Sequence, residues 1–281
     1  MVVVGALIWL ASYPKSGNTW VRSFLHNLLR NTTEPADINA LNQFCLGSSS
    51  RRWFEQVSPV PLEQLKPDAL ARLRPAAQAR MSTVSPDSIF VKSHNYLGPW
   101  FGVPLHNMQV TAGAIYILRN PLDVTLSLAG HLGMSIDDTI KFMSTDGAGT
   151  KLTARHIPEV YDTWSAHVAS WTSGANPQLF VARYEDMSER PVETFGKMAG
   201  FLGLNPAADR LERAISNASF DVLSTQEREK GFKEKPAHAE AFFRKGKPGQ
   251  WRELLSDEQI AKVVSAHRAQ MERFGYVPDG F

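Results

Sequence analysis

Several side chains able to bind anions or move protons stand where apolar runs end. "SYPKSGNTW" follows directly on "VVVGALIWLA" and sets Lys15 and Thr19 on either side of Gly17. "SIFVKSH" closes on Lys92 and His94, and "AGAIYILRN" carries Arg119. Ser127 lies eight residues beyond Arg119, and a basic stretch, "RKGKPGQW", supplies Arg244, Lys245 and Gly246. Two lysines and an arginine at helix N-termini would satisfy a strongly anionic ligand with more than one phosphate-like group. A histidine titrates at about 6.5, so His94 can take a proton near neutral pH. Lys92, two residues earlier on the same strand, shares its face. The triphosphate-binding loop G-x-x-x-x-G-K-[ST] puts its lysine right after the second glycine. Here Asn18 fills that slot and the cation sits ahead, at Lys15.

These residues need a frame that brings distant chain ends together. Residues 3–11 read as a strand covered on both faces, as in a parallel sheet. "TWVRSFLHNLLR" then places Trp20, Phe24, Leu25 and Leu28 at helical spacing. This strand, tight loop and helix resemble a P-loop and point backbone N–H groups into the loop. Residues 88–94 and 112–120 read as further strands. Pro121 opens a helix, with Asn120 and Asp123 as a capping pair. "QLFVARYEDM" is a fourth strand with a polar end. A helix is expected around 62–80, a long one over about 157–173 with Trp164 and Trp171 in the core, helices over 188–231, and a last one from about 256. The expected fold is α/β: a single domain over residues 1–281, with a central, mostly parallel sheet flanked by helices. In such sheets ligands bind beyond the carboxyl ends of the strands.

Composition sets limits on function. The chain has 281 residues, 43% hydrophobic and 21% charged, as expected of a globular protein with a large core. A formal net charge of +2 is too small to suggest nucleic-acid binding. The one cysteine, Cys45, excludes an internal disulfide and fits a reducing cytoplasm. The apolar start has no basic residues before it and no small-residue cleavage site, and it is too short to span a membrane. A cytoplasmic protein is the expectation.

The ordered motifs resemble those of the cytosolic-type sulfotransferases. "YPKSGNTW" is similar to their 5′-phosphosulfate loop, usually written YPKSGTTW. Arg119 with Ser127 resembles their 3′-phosphate motif, "FRKGKPGQW" their C-terminal RKGxxGxW, and "VKSH" their lysine-x-histidine. The resemblance spans residues 12–251 and implies transfer of a sulfuryl group from 3′-phosphoadenosine-5′-phosphosulfate (PAPS) to an acceptor, without a metal. It implies that Lys15, Ser16, Gly17, Asn18, Thr19 and Trp20 surround the 5′-phosphosulfate and the adenine edge. Arg119, Ser127, Arg244, Lys245 and Gly246 would hold the 3′-phosphate, and Tyr184 and Phe220 would line the adenine. His94 would be the base, Lys15 would act on the leaving oxygen, and Lys92 would contact the sulfuryl group. Asn18 departs from the family's usual threonine, yet its amide can still donate to a phosphate oxygen. The dimerisation motif common in the animal enzymes has no match near the C-terminus, so the oligomeric state stays open.

Two rivals stand beside this reading. A small-molecule kinase would bind ATP with Mg²⁺, which Asn18 in the lysine slot disfavours. Asp186 is the nearest acid to a Walker-B position, but it sits in the sulfotransferase-like "YED". A non-catalytic nucleotide-binding module would have no use for Lys92 and His94. Residues 38–80, 95–110 and 131–160 are expected to shape the acceptor pocket. Trp53, Phe54, Tyr96, Trp100 and Phe101 there suggest a hydrophobic or aromatic hydroxyl compound; a small metabolite, a lipid and a peptide natural product all fit. His106 and His131 have a claim on that pocket, whereas His26, His167, His238 and His267 read as structural or exposed. Phe242 and Phe243 either gate the pocket or anchor the basic loop.

Overall fold

The computed structural model describes residues 5–281. Strand β1 covers Leu7–Ser12, so residues 3 and 4 of the predicted strand lie outside the described residues. Four more strands join it: β2 (Leu46–Gly47), β3 (Ile89–Ser93), β4 (Thr111–Leu118) and β5 (Leu179–Arg183). Their order is β2-β3-β1-β4-β5, all parallel, with Leu10 beside Lys92 and Ser12 beside Ile117. The expected mostly parallel sheet is therefore present. The two-residue edge strand β2 was too short to leave a periodic signal.

Alternation along the strands feeds two cores, as a period of two dictates. Leu7, Trp9 and Ala11 of β1 and Tyr116 and Leu118 of β4 face one side. There they meet the buried residues of helices at Trp164–Thr172 and Asp257–Arg273. Leu10, Ile115 and Ile117 face the other side. They pack on Val21, Phe24, Leu25 and Leu28 of helix α1 (Asn18–Arg30), with Phe195 and Met198 behind. Helices thus flank the sheet on both faces.

Several boundaries differ from expectation for local reasons. The helix expected over 157–173 begins only at Trp164, because Asp162 takes a left-handed φ of 60°. Thr163 then caps the helix, its hydroxyl accepting from the Ala166 N–H at 3.0 Å. The strand in "QLFVARYEDM" stops at Arg183, and Tyr184–Glu189 is helical. The helix expected around 62–80 is a short 3₁₀ turn at Leu62–Gln64 followed by Pro67–Ser82. Helix α2 (Pro121–Leu132) starts at its proline, and Asn120 accepts from the Leu122 N–H at 3.0 Å. Asp123 does not complete a capping pair; the Asn120 N–H goes instead to Glu185 Oε1 at 3.0 Å. No helix among the described residues is long and apolar enough to cross a membrane.

Candidate active site

The carboxyl ends of β3, β1, β4 and β5 open on one cleft of about 980 Å³. Lys15, Gly17, Asn18, Thr19, Trp20, Lys92, His94, Arg119, Ser127, Tyr184, Phe220, Arg244, Lys245 and Gly246 all line it. Ser16 alone of the predicted residues does not: its hydroxyl is buried without a partner.

The first loop is tight enough to strain the backbone. Lys15 has a φ of 69° and Gly17 a φ of 107°, both in the left-handed region that L-residues avoid. A Cβ on Gly17 would lie 2.7 Å from Tyr184 Cδ2, so only glycine fits there. Helix α1 starts at once: the Trp20 and Val21 N–H groups donate to the Gly17 carbonyl at 3.0 and 3.2 Å, and those of Asn18 and Thr19 have no intrahelical acceptor. The Asn18 side chain does not join them. Its Nδ2 donates to the Leu10 carbonyl at 2.8 Å and to Ser12 Oγ at 3.3 Å, so the amide braces the end of β1 rather than facing a ligand.

The distant motifs are bolted to one another. Arg119 donates to the Lys15 carbonyl at 3.1 Å and stacks 4.1 Å from the Tyr184 ring centre; its Nε is buried without a partner. Tyr184 donates its hydroxyl to the Gly246 carbonyl at 2.9 Å. Gly246, at φ 62°, lies against the Phe220 ring so closely that a Cβ would collide with it. Asp123 accepts from the Gly249 N–H at 2.7 Å and the Trp251 N–H at 3.3 Å, tying the basic loop to α2. Arg244 donates to the Leu126 carbonyl of the same helix at 3.2 Å. Trp20 meets Tyr184 edge-on, and its indole N–H is buried and unpartnered. Asp186 instead pairs with Arg190 at 2.9 Å on its own turn.

His94 is held in one tautomer and kept neutral by its neighbours. Nδ1 lies 2.9 Å from the Ser12 carbonyl, which can only accept, so Nδ1 carries the proton and Nε2 the lone pair. Burial, with the Lys92 cation adding to it, holds its pKa well below 6.5 and keeps the imidazole neutral. His167 buttresses the strand end: Nε2 lies 3.2 Å from the His94 carbonyl and Nδ1 2.9 Å from the Tyr116 hydroxyl. Lys15 is lowered to about 7 by burial and by repulsion from Lys92, Arg119 and Arg244, with Glu234 opposing. Its Nζ sits 3.8 Å over the Phe242 ring, so Phe242 anchors this lysine. Lys92 pairs with Glu234 at 3.2 Å, and Glu234 pairs with Arg22 at 2.8 Å. Neither Glu234 nor Arg22 stood out in the sequence, where each sits in an ordinary charged stretch.

The aromatic residues expected to shape the other half of the cleft do not line it. Trp53 and Phe54 are core residues, and Tyr96, Trp100 and Phe101 are not among the lining residues. For Trp53 and Phe54, burial in the core won over lining the cleft, whereas Phe101 is exposed away from it. From residues 38–80 only Asn42, Gly47 and Ser49 reach the cleft, and none from 95–110 do. The wall is instead Thr150, Lys151, Thr153, Arg155, His156, Glu159 and Tyr161, so 131–160 is the segment that contributes most. It is pinned through its backbone: Arg51 N–H donates to the Arg155 carbonyl, and Ile157 N–H to the Ser49 carbonyl, each at 2.9 Å. His131 lines the cleft, its pKa lowered to about 4 by burial and the Lys15 charge. His106 is a core residue, 3.0 Å from Ser93 Oγ and edge-on to Trp9. His26, His167 and His267 are buried outside the lining, and His238 reaches the His131 carbonyl at 3.0 Å. Among the described residues no three His, Cys, Asp or Glu side chains gather as a metal site would require.

Residues 7–275 match the family described as sulfotransferase domain. A flavonol 3-sulfotransferase of Flaveria bidentis is 25% identical, over 91% of this chain and 78% of that protein. Sulfotransferase 1B1 of the dog, Canis lupus familiaris, is 26% identical, over 94% of this chain and 83% of that one. A mouse sulfotransferase, solved in complex with PAP, has a similar fold: its TM-score is 0.60 at 19% identity, covering 95% of this chain and 84% of that chain.

Proposed function

The chain belongs to the sulfotransferase domain family, and from that premise we propose that it moves a sulfuryl group from PAPS to the hydroxyl of a small molecule. The supporting observation is the join between β1 and β3, where the neutral His94, the Lys15 loop and Lys92 line one cleft. The donor fits the other half. Arg119 and Trp20 keep buried N–H groups without partners there, and Arg244 and Lys245 add cations for a 3′-phosphate. Tyr184, Trp20 and Phe220 supply flat surfaces for the adenine.

In this reading His94 Nε2 takes the proton of the acceptor hydroxyl as its oxygen bonds to sulfur. The bond from sulfur to the 5′-phosphate oxygen breaks in line, and adenosine 3′,5′-bisphosphate (PAP) leaves. Such transfers pass through a loose transition state stabilised mainly by positioning and charge. Lys15 meets the charge left on the 5′-phosphate, and Lys92 meets the sulfuryl oxygens. Lys15 stands near neutrality in the empty cleft, and an anionic donor raises its pKa and charges it. The acceptor class takes its character from the 150–161 wall, which is polar with one aromatic ring, Tyr161. A hydroxyl compound carrying further polar groups suits that wall better than a wholly apolar one. We place the protein in the cytoplasm, in keeping with its single buried thiol.

Calorimetry with PAP and with ATP plus Mg²⁺ tests the donor. PAP should bind and ATP should not displace it; preference for ATP with Mg²⁺ would mean a kinase. Labelled PAPS with a panel of phenols and alcohols then tests transfer, and donor binding without transfer to any acceptor or to water would favour the non-catalytic module.

A further inference from the structure

Glu234 sets an acid inside a cleft built for anions. Its side chain is 16% exposed. Oε1 and Oε2 each accept an N–H of Arg22 at 2.8 Å, and the Arg22 guanidinium is fully buried. Arg22 also reaches Thr19 Oγ1 at 3.2 Å, which locks the acid to the donor loop. Oε2 accepts a further hydrogen bond from Lys92 Nζ at 3.2 Å. A counter-ion for Arg22 needs only the two-pronged pair, so the contact with Lys92 is additional. An ammonium has three N–H bonds, and holding one leaves two for the cleft. Lys92 shares the cleft with Lys15, Arg119 and Arg244, and repulsion in that company would turn a flexible stem outward.

We propose that Glu234 is a positioning residue for sulfuryl transfer, clamped by Arg22 so that it holds the Lys92 ammonium beside His94. Glu234 lies on the same segment as Arg244, Lys245 and Gly246, joined to them through residues 235–243. One segment thus carries both the acid that holds Lys92 and the cations proposed for the 3′-phosphate. The inference rests on the sulfuryl-transfer reading above.

The test is a double-mutant cycle on Glu234→Gln and Lys92→Met. PAP release from PAPS is followed with 4-nitrophenol as the probe acceptor and again with water alone, and PAP affinity is read by calorimetry. Glu234→Gln should lower kcat about tenfold and leave PAP affinity within about threefold, as expected for a misplaced catalytic group. In the Lys92→Met background the same change should cost less than about twofold, because the two residues act as one unit. Equal costs in both backgrounds would overturn the proposal. Glu234→Gln strands a buried cation and can weaken the fold. The Arg22→Met/Glu234→Gln pair removes that cation; it should fold and stay about tenfold slow. A normal rate in that pair would reduce Glu234 to a counter-ion for Arg22 and sink the idea. A wild-type protein that binds PAP but releases none from PAPS in either assay would overturn the function and this inference together.

Discussion

The two halves of the cleft are built on different terms. In the half proposed for the donor, side chains beyond the ends of β4 and β5 grip the backbone of other loops: Arg119 the Lys15 carbonyl, Tyr184 the Gly246 carbonyl, and Asp123 the Gly249 N–H. In the acceptor half, Lys151, Thr153, Arg155 and His156 are exposed, and their segment is fixed through backbone hydrogen bonds to residues 49–51. A side-chain lattice resists change, because removing one member strands the others. A wall pinned by its backbone can exchange side chains without losing its shape. On the proposed reading, the donor half thus resists substitution and the acceptor wall tolerates it.

The comparison can be broken most forcefully at the seam. His94→Ala should cost about a thousandfold in transfer while PAP affinity stays within about twofold, measured by turnover and calorimetry. Normal turnover would remove His94 from the role of base. Lys15→Ala should lower turnover about a hundredfold and PAP affinity much less, since its charge matters most as the bond breaks; a loss confined to affinity would make Lys15 a donor ligand only. Asp123→Ala leaves the Gly249 N–H without its acceptor and loosens the basic loop. PAP affinity should fall about tenfold, by calorimetry, with little change in the turnover of saturated enzyme. In the acceptor wall, Arg155→Ala should change acceptor KM only a few-fold and leave PAP affinity untouched. An equal change in PAP affinity would erase the distinction between the halves.

The smallest effect is a matter of protons. Lys15 titrates at about 7 in the empty cleft, against 10.5 unperturbed. At pH 8 the free protein therefore holds this amine mostly neutral, and bound PAP, being anionic, pulls it back to the charged form. Calorimetry in buffers of different ionisation heat should record uptake of a fraction of a proton at pH 8, lost in Lys15→Met. The same lowering means the unfolded chain binds the extra proton between about 7 and 10.5, so this group makes the empty protein more stable as pH rises through that window.

What the sequence disclosed follows the same division. Lys15, Lys92, His94 and Arg119 were legible because each ends an apolar run, and strand ends in a parallel sheet converge. Their partners were not. Asp123 meets Gly249 across 126 positions and Glu234 meets Lys92 across 142, distances at which no local pattern survives. Asp123 even carried a plausible local role as a cap, which the fold gave to none of its atoms. The acceptor side misled through its aromatic residues. Trp53 and Phe54 contribute more in the core than in a pocket, and a sequence does not say which of two apolar destinations a side chain takes. The 157–163 stretch failed as helix because one left-handed residue, Asp162, precedes a better cap.

The left-handed backbone at Lys15 has a consequence of its own. A non-glycine residue at φ 69° carries conformational strain of order 1 kcal/mol that glycine at the same place would relieve. Lys15→Gly should therefore yield a sturdier protein that turns over about a hundredfold more slowly. The turn thus holds a strained lysine where glycine would be the more stable choice, so stability alone does not account for the residue there.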